Sequence, residues 1–186
     1  MAELIEFETE RLRLRQWIAS DREPFARLCG DPRVMEFFPN LLDRAASDAM
    51  VDRLEALINE RGWGLWAVET LASNQFIGFV GLHIPKADLP CSPCVEIGWR
   101  LAYEYWGKGY ATEAARDVLK VGFDRLALSE IVSFTATINR RSRAVMERLG
   151  LKLAAETFEH PIVPEGHILR EHVLYRLSRE RWKSTH

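Results

Sequence analysis

The stretch Trp106-Gly107-Lys108-Gly109-Tyr110-Ala111-Thr112-Glu113-Ala114-Ala115 decides how the rest of the chain is laid out. The run 95–101 before it reads as a strand. After it, small and apolar residues recur at Ala111, Ala114, Ala115, Val118, Leu119, Gly122, Phe123 and Leu126, the three-and-four spacing of a helix with one buried stripe. Glycines ahead of a helix let the backbone turn tightly and bring N–H groups close to a ligand. The N–H groups of a first helical turn have no intrahelical partners and carry a partial positive charge. Strand, glycine loop and helix start together form a device for holding phosphate.

Elimination narrows the choice of phosphate ligand. A dinucleotide fingerprint needs a third glycine where Thr112 stands, and an acidic residue after the next strand, where Thr137-Ile138-Asn139 follows instead. The Gly-Lys-Ser/Thr ending of a nucleoside-triphosphate loop is absent. On the loop alone, a plain tight connection is the rival reading, since short glycine loops are common punctuation.

The loop's company decides between them. Val95-Glu96-Ile97-Gly98-Trp99-Arg100-Leu101, then the glycine loop, then Asn139-Arg140-Arg141-Ser142 followed by Val145-Met146-Glu147-Arg148-Leu149-Gly150-Leu151 occur in that order. Together they resemble the GNAT superfamily of acetyl-CoA-dependent N-acetyltransferases, most of all its ribosomal-protein N-terminal (RimJ/RimL type) branch. Trp106 stands where the family often has Gln or Arg. The resemblance implies that Gly107, Lys108, Gly109, Tyr110, Ala111 and Thr112 hold the coenzyme A pyrophosphate on backbone amides. It implies further coenzyme contacts from Trp99, Arg100, Leu101, Asn139 and Ser142. The implied fold is α/β (α+β): a mixed, mostly antiparallel twisted sheet of about seven strands with a central parallel splayed pair, flanked by helices.

Composition agrees with one such domain over 1–186. At 186 residues the chain can bury a real core. Lys plus Arg is 25 and Asp plus Glu is 27, a balance that disfavours a nucleic-acid or membrane-surface binder. The acidic start Met1-Ala2-Glu3-Leu4-Ile5-Glu6-Phe7-Glu8 lacks the pattern of a secretory signal, and three cysteines are no disulfide framework, so a cytoplasmic protein is expected. Cys91-Ser92-Pro93-Cys94 has the spacing of half a zinc or redox site, but no second pair completes it, and no metal is expected.

Along the rest of the chain, residues 10–17 alternate as a half-buried strand, Asp21 caps a short helix through Leu28, and 47–61 reads as an amphipathic helix stopped by Gly62. Runs 65–69, 76–82 and 95–101 suggest an antiparallel meander; a crossover through the long helix makes 131–137 parallel to 95–101 if the two adjoin. Asn139 starts a helix that Gly150 stops, and 151–158 and 169–177 read as last strands.

The implied reaction is attack of an amine on the acetyl-CoA thioester. An ammonium must first lose a proton, and the departing thiolate gains from a donor. An α-amine has a pKa of about 8 and a lysine about 10.4, which leaves the uncharged lysine roughly two hundred-fold rarer. Glu96, a carboxylate within an apolar strand, is the candidate base; the alternative is a structural carboxylate. Ser142 is the candidate acid, since the matching family serine protonates the thiolate; capping and packing are its alternative role. Tyr175 is a second donor, and His83 and His160 are further bases. The expectation is direct transfer in a ternary complex to a protein N-terminal α-amine, by a monomer or homodimer. The alternatives are a small amine, an antibiotic amino group, or a non-catalytic acyl-CoA sensor.

Overall fold

The computed structural model describes residues 2–185. It forms two compact units, one made of the residues up to Leu82 with Gly98–Ala115, the other of His83–Ile97 with the residues from Arg116 on. The fold is mixed α/β, with nine strands and five α-helices among the described residues. The count exceeds the expected seven by two: β1 (Phe7–Glu8) is additional, and the strand expected over 151–158 is replaced by β7 (Lys152–Leu153) and β8 (Phe158–Glu159).

In the first unit, β1, β2 (Leu12–Arg15), β3 (Leu65–Thr70) and β4 (Phe76–His83) pair in antiparallel succession. The alternation of residues 10–17 is realised in β2. Leu12 and Leu14 are fully buried, while Arg13 and Arg15 turn to the carboxylate of Glu69 at 2.8 and 2.7 Å. Residues Gly98–Leu101 of β5 (Glu96–Leu101) lie beside β4. There Gly78, at φ +139°, faces the Arg100 carbonyl so closely that a Cβ would overlap it.

Helix α1 (Arg22–Cys29) follows Asp21, but not through a side-chain cap. That carboxylate instead takes both Arg15 NH groups at 2.8 and 2.9 Å, because a buried acid gains more from a guanidinium than from an amide. Helix α2 (Arg44–Arg61) begins three residues before the expected Ser47, where Asp43 accepts from the Ala46 amide at 2.8 Å. Gly62 ends it in the left-handed conformation.

In the second unit, β6 (Glu130–Ala136) and β9 (Glu171–Ser178) pair antiparallel over seven residues, with β7 and β8 on the other edge of β9. The expected strand 151–158 is thus two short pieces joined by a stretch outside the strand pairing. The parallel pair is present, and its register runs through Glu96 and Val132 alone. Beside that pair, the Val132 N–H donates to the Val95 carbonyl at 2.9 Å, and the buried Ser133 hydroxyl donates to the Ile97 carbonyl at 2.9 Å. Helix α3 (Tyr110–Lys120) runs on into a π-helical turn, Val121–Arg125. Helix α4 (Arg140–Arg148) follows β6, and α5 (Arg179–Thr185), not expected from the sequence, packs Trp182 on Phe123 with ring centroids 5.5 Å apart. No helix among the described residues is long and apolar enough to cross a membrane.

Candidate active site

Gly107 and Gly109 adopt φ +73° and +81°, where side chains are strained, and both lie exposed with Lys108 ahead of α3. The first helical bond is Glu113 N–H to the Gly109 carbonyl at 3.0 Å. No protein group among the described residues accepts from the amides of Gly107, Lys108, Gly109, Tyr110, Ala111 or Thr112. Six consecutive amides without an acceptor among the described residues, at an exposed helix start, can receive an anion.

What keeps them bare is a carboxylate tied elsewhere. Glu113, in the first turn, is well placed to fold back as a cap. Instead it accepts from the Thr9 hydroxyl at 2.6 Å, the Arg11 amide at 2.8 Å and Arg11 Nε at 2.6 Å. Partial burial acts to raise its pKa, but these donors outweigh it and hold the group below the ordinary value. Arg11 also donates to the Lys108 carbonyl at 3.0 Å and lies 4.5 Å from the Tyr110 ring centre. Sequence reading missed Thr9 and Arg11, since no local pattern marks partners 104 and 102 residues away. Trp106 also anchors the loop, its indole N–H reaching the Leu101 carbonyl at 2.8 Å. Trp99 is half-buried, and Leu101 and Arg100 are buried.

Glu96 opens β5 and is 7 % exposed. Burial pushes its carboxyl well above the ordinary carboxylate range. Its Oε2 lies 3.1 Å from Nε2 of His83, whose side chain is 34 % exposed. Two of the three candidate bases named from sequence, Glu96 and His83, are therefore one pair: a buried carboxyl joined to a partly exposed imidazole. A buried carboxyl of raised pKa can take a proton and share it with the neighbouring imidazole, whose Nδ1 is buried.

Asn139 does start a helix. Its Oδ1 accepts from the Ser142 amide at 3.2 Å, and its Nδ2 donates to the Thr135 hydroxyl at 2.9 Å. Both ends of the amide are thus engaged within the protein. Ser142 is half-buried at the third position of α4. Tyr175 is 1 % exposed, donates to Glu147 at 2.8 Å and accepts from Arg143 Nε at 3.3 Å; burial, opposed by Arg143, raises its pKa. Arg143 is held further by the Thr137 carbonyl at 2.9 Å, so Tyr175 and Arg143 form a structural network. His160 packs against Phe134, Phe158 and His172, and burial lowers its pKa. The Cys91 and Cys94 thiols touch at 2.7 Å, and burial pushes Cys94 up to about 12. Among the described residues, no three His, Cys, Asp or Glu gather as a metal site.

Residues 11–152 match the model of the acetyltransferase (GNAT) domain family. The chain is 32% identical over 181 residues to the FsC-acetyl coenzyme A-N(2)-transacetylase of Aspergillus fumigatus, covering 94% of this chain and 76% of that protein. It is 33% identical over 175 residues to the uncharacterized N-acetyltransferase YnaD of Bacillus subtilis, covering 94% and 97%. Among solved structures, a GNAT-family acetyltransferase from Bacillus anthracis superposes with a TM-score of 0.79 at 25% identity, over 95% of this chain and 99% of that one.

Proposed function

From the premise that the chain belongs to the GNAT family and is an acetyl-CoA-dependent N-acetyltransferase, we propose that it acetylates an α-amine, foremost a protein N-terminus, as one catalytic domain over 1–186. The carrying observation is the buried Glu96 carboxyl paired with His83 at 3.1 Å. A base lifted only from the carboxylate range suits an amine of pKa about 8 better than a lysine at about 10.4. Assignment to the RimJ/RimL type branch rests on the ordered motifs from Val95 to Leu151. The fungal relative's name, an N(2)-transacetylase, favours a second reading in which the α-amine belongs to a small molecule. The setting we propose is the cytoplasm, with the enzyme as monomer or homodimer.

In this reading the amides of Gly107 to Thr112 bind the coenzyme diphosphate, with Trp99, Arg100, Leu101, Asn139 and Ser142 along the rest of the coenzyme. Since Asn139's side chain is occupied as a cap, its contact falls to the backbone. Glu96 takes the proton of the acceptor ammonium, with His83 at 3.1 Å as the neighbouring proton acceptor. The amine lone pair forms the new N–C bond, the C–S bond breaks, the thiolate takes the Ser142 proton, and the surplus proton on the new amide nitrogen leaves through solvent, which reprotonates Ser142. The test is thioester consumption, corrected for hydrolysis, with peptides of varied first residue beside polyamines and aminoglycosides. Turnover confined to peptides supports the N-terminal reading, turnover confined to small amines the second. Coenzyme binding without turnover of any amine overturns both in favour of a sensor.

A further inference from the structure

The alternation that gives Glu96 and Gly98 one face of β5 gives Arg100 that face as well. Arg100 is 9 % exposed, and its surroundings are not those of a paired cation. Phe38 and Phe79 lie 4.2 and 5.4 Å from the guanidinium carbon, measured to the ring centres. NH1 is directed at the Cys29 thiol at 3.3 Å and the Met50 sulfur at 4.0 Å. Among the described residues, Nε is buried and makes no hydrogen bond, and NH2 bonds to no acceptor. No carboxylate there pairs with it. Other arginines of the same unit show the contrast: Arg15 has Asp21 and Glu69, Arg11 has Glu113, and Arg22 has Asp52.

A guanidinium does not discharge itself by losing a proton, so burying it alone costs several kcal/mol. Burial weighs against the charge here, and the thiol of Cys29 offsets only part of that. What is left over is a planar edge, Nε and NH2, with the geometry of a two-pronged donor. Neither phenyl ring nor the sulfurs supply the oxygen pair that edge is shaped for. Phe38, in the segment between α1 and α2, covers the guanidinium and is itself 39 % exposed, so the approach from solvent passes its ring.

We propose that Arg100 is a specificity residue for the acceptor, binding a carboxylate of the amine substrate side-on through Nε and NH2. A flat monoanion fits a single cation; a phosphate dianion would keep one charge without a counterpart. The inference rests on the transferase reading above and sharpens its substrate class to amines that also carry a carboxylate.

The test uses the whole protein and matched acceptors that differ only in one charge: Ala-Glu amide against Ala-Gln amide, Ala-Asp amide against Ala-Asn amide, and Ala-Ala against its C-terminal amide. Wild-type kcat/KM is expected to favour the carboxylate member of at least one pair by about tenfold or more, the worth of one charge-assisted bidentate contact. Arg100→Gln should bring that ratio to within about twofold, through the KM of the carboxylate acceptor, and Arg100→Lys should fall between, as a point charge without the fork. A wild-type ratio near one in every pair overturns the inference, as does a Gln variant that keeps the preference. The wild-type ratio decides by itself if the variants do not fold. The two failures are distinguishable: no thioester consumption with any amine sinks the transferase reading and this inference with it, whereas turnover at a ratio near one sinks this inference alone.

Discussion

The chain contains two helix starts that the sequence marks as ligand-bearing, and the structure treats them in opposite ways. At α3 no acceptor among the described residues takes the amides of Gly107–Thr112, and Glu113 of the first turn is held by Thr9 and Arg11. At α4 the Asn139 side chain closes on the Ser142 amide and is itself fixed by Thr135. Both starts have the same intrinsic polarity. The difference lies in where the nearest polar side chain finds its best partner. A helix start becomes a binding site when a competing cap is drawn off by groups distant in sequence, and a structural joint when the cap is local.

The largest expected effect asks whether the chemistry lies apart from both helix starts. Glu96→Gln should lower kcat by about 10²–10⁴, the usual worth of a positioned base, while coenzyme affinity measured by calorimetry holds. A variant with wild-type kcat would return the proton transfer to Ser142 at the α4 start, or to His83. In the wild type, kcat should rise with pH through a pKa above the ordinary carboxylate range, since the base acts when deprotonated. The stability sign is opposite. Between the unfolded carboxyl pKa of about 4.3 and its raised folded value, the native state holds a proton the unfolded chain has released. Glu96 therefore makes stability fall as pH rises across that window, and pH-dependent melting of Glu96→Gln should lack this contribution.

Next in size, Gly109→Val at φ +81° should distort the bare cradle and weaken coenzyme binding by about a hundredfold, with a smaller change in Tm. Equal loss of folding and binding would show that the loop is a structural turn. Arg11→Ala should cost about tenfold in coenzyme affinity, because Glu113 then competes for its own helix amides. The paired variant Arg11→Ala, Glu113→Ala should recover part of that loss. If it does not, Arg11 serves the ligand in another way. The smallest effect belongs to the capped start: Asn139→Ala should cost about 1 kcal/mol of stability in thermal melts and change coenzyme affinity little.

Much of this was legible one element at a time. Alternation and helical spacing located β2 through β6, α3 and α4 to within about two residues, because each buries one face and its pattern is local. The start of α2 was misplaced, since its cap, Asp43, precedes the apolar stripe by several polar residues. Residues 151–158 carry the composition of a strand, yet strand pairing with β9 is limited to Lys152–Leu153 and Phe158–Glu159; a strand exists through its neighbour. In the site, Gly107, Gly109 and Glu96 could be named because glycine loops and mid-strand carboxylates announce themselves. The clamp of Thr9 and Arg11 on Glu113, the joining of His83 to Glu96, and the solitary state of Arg100 are facts of tertiary contact, and nothing in their own flanking residues foretells them.

The single rung between β5 and β6 has a further consequence. Beyond the Glu96–Val132 pair, the Ile97 carbonyl is served by the Ser133 hydroxyl, a rotor about one bond. An incoming donor can claim that carbonyl while the hydroxyl swings away, so exchanging partners there melts no sheet. Amide deuterium uptake should accordingly remain slow along β6 against β9 whether or not the coenzyme is bound.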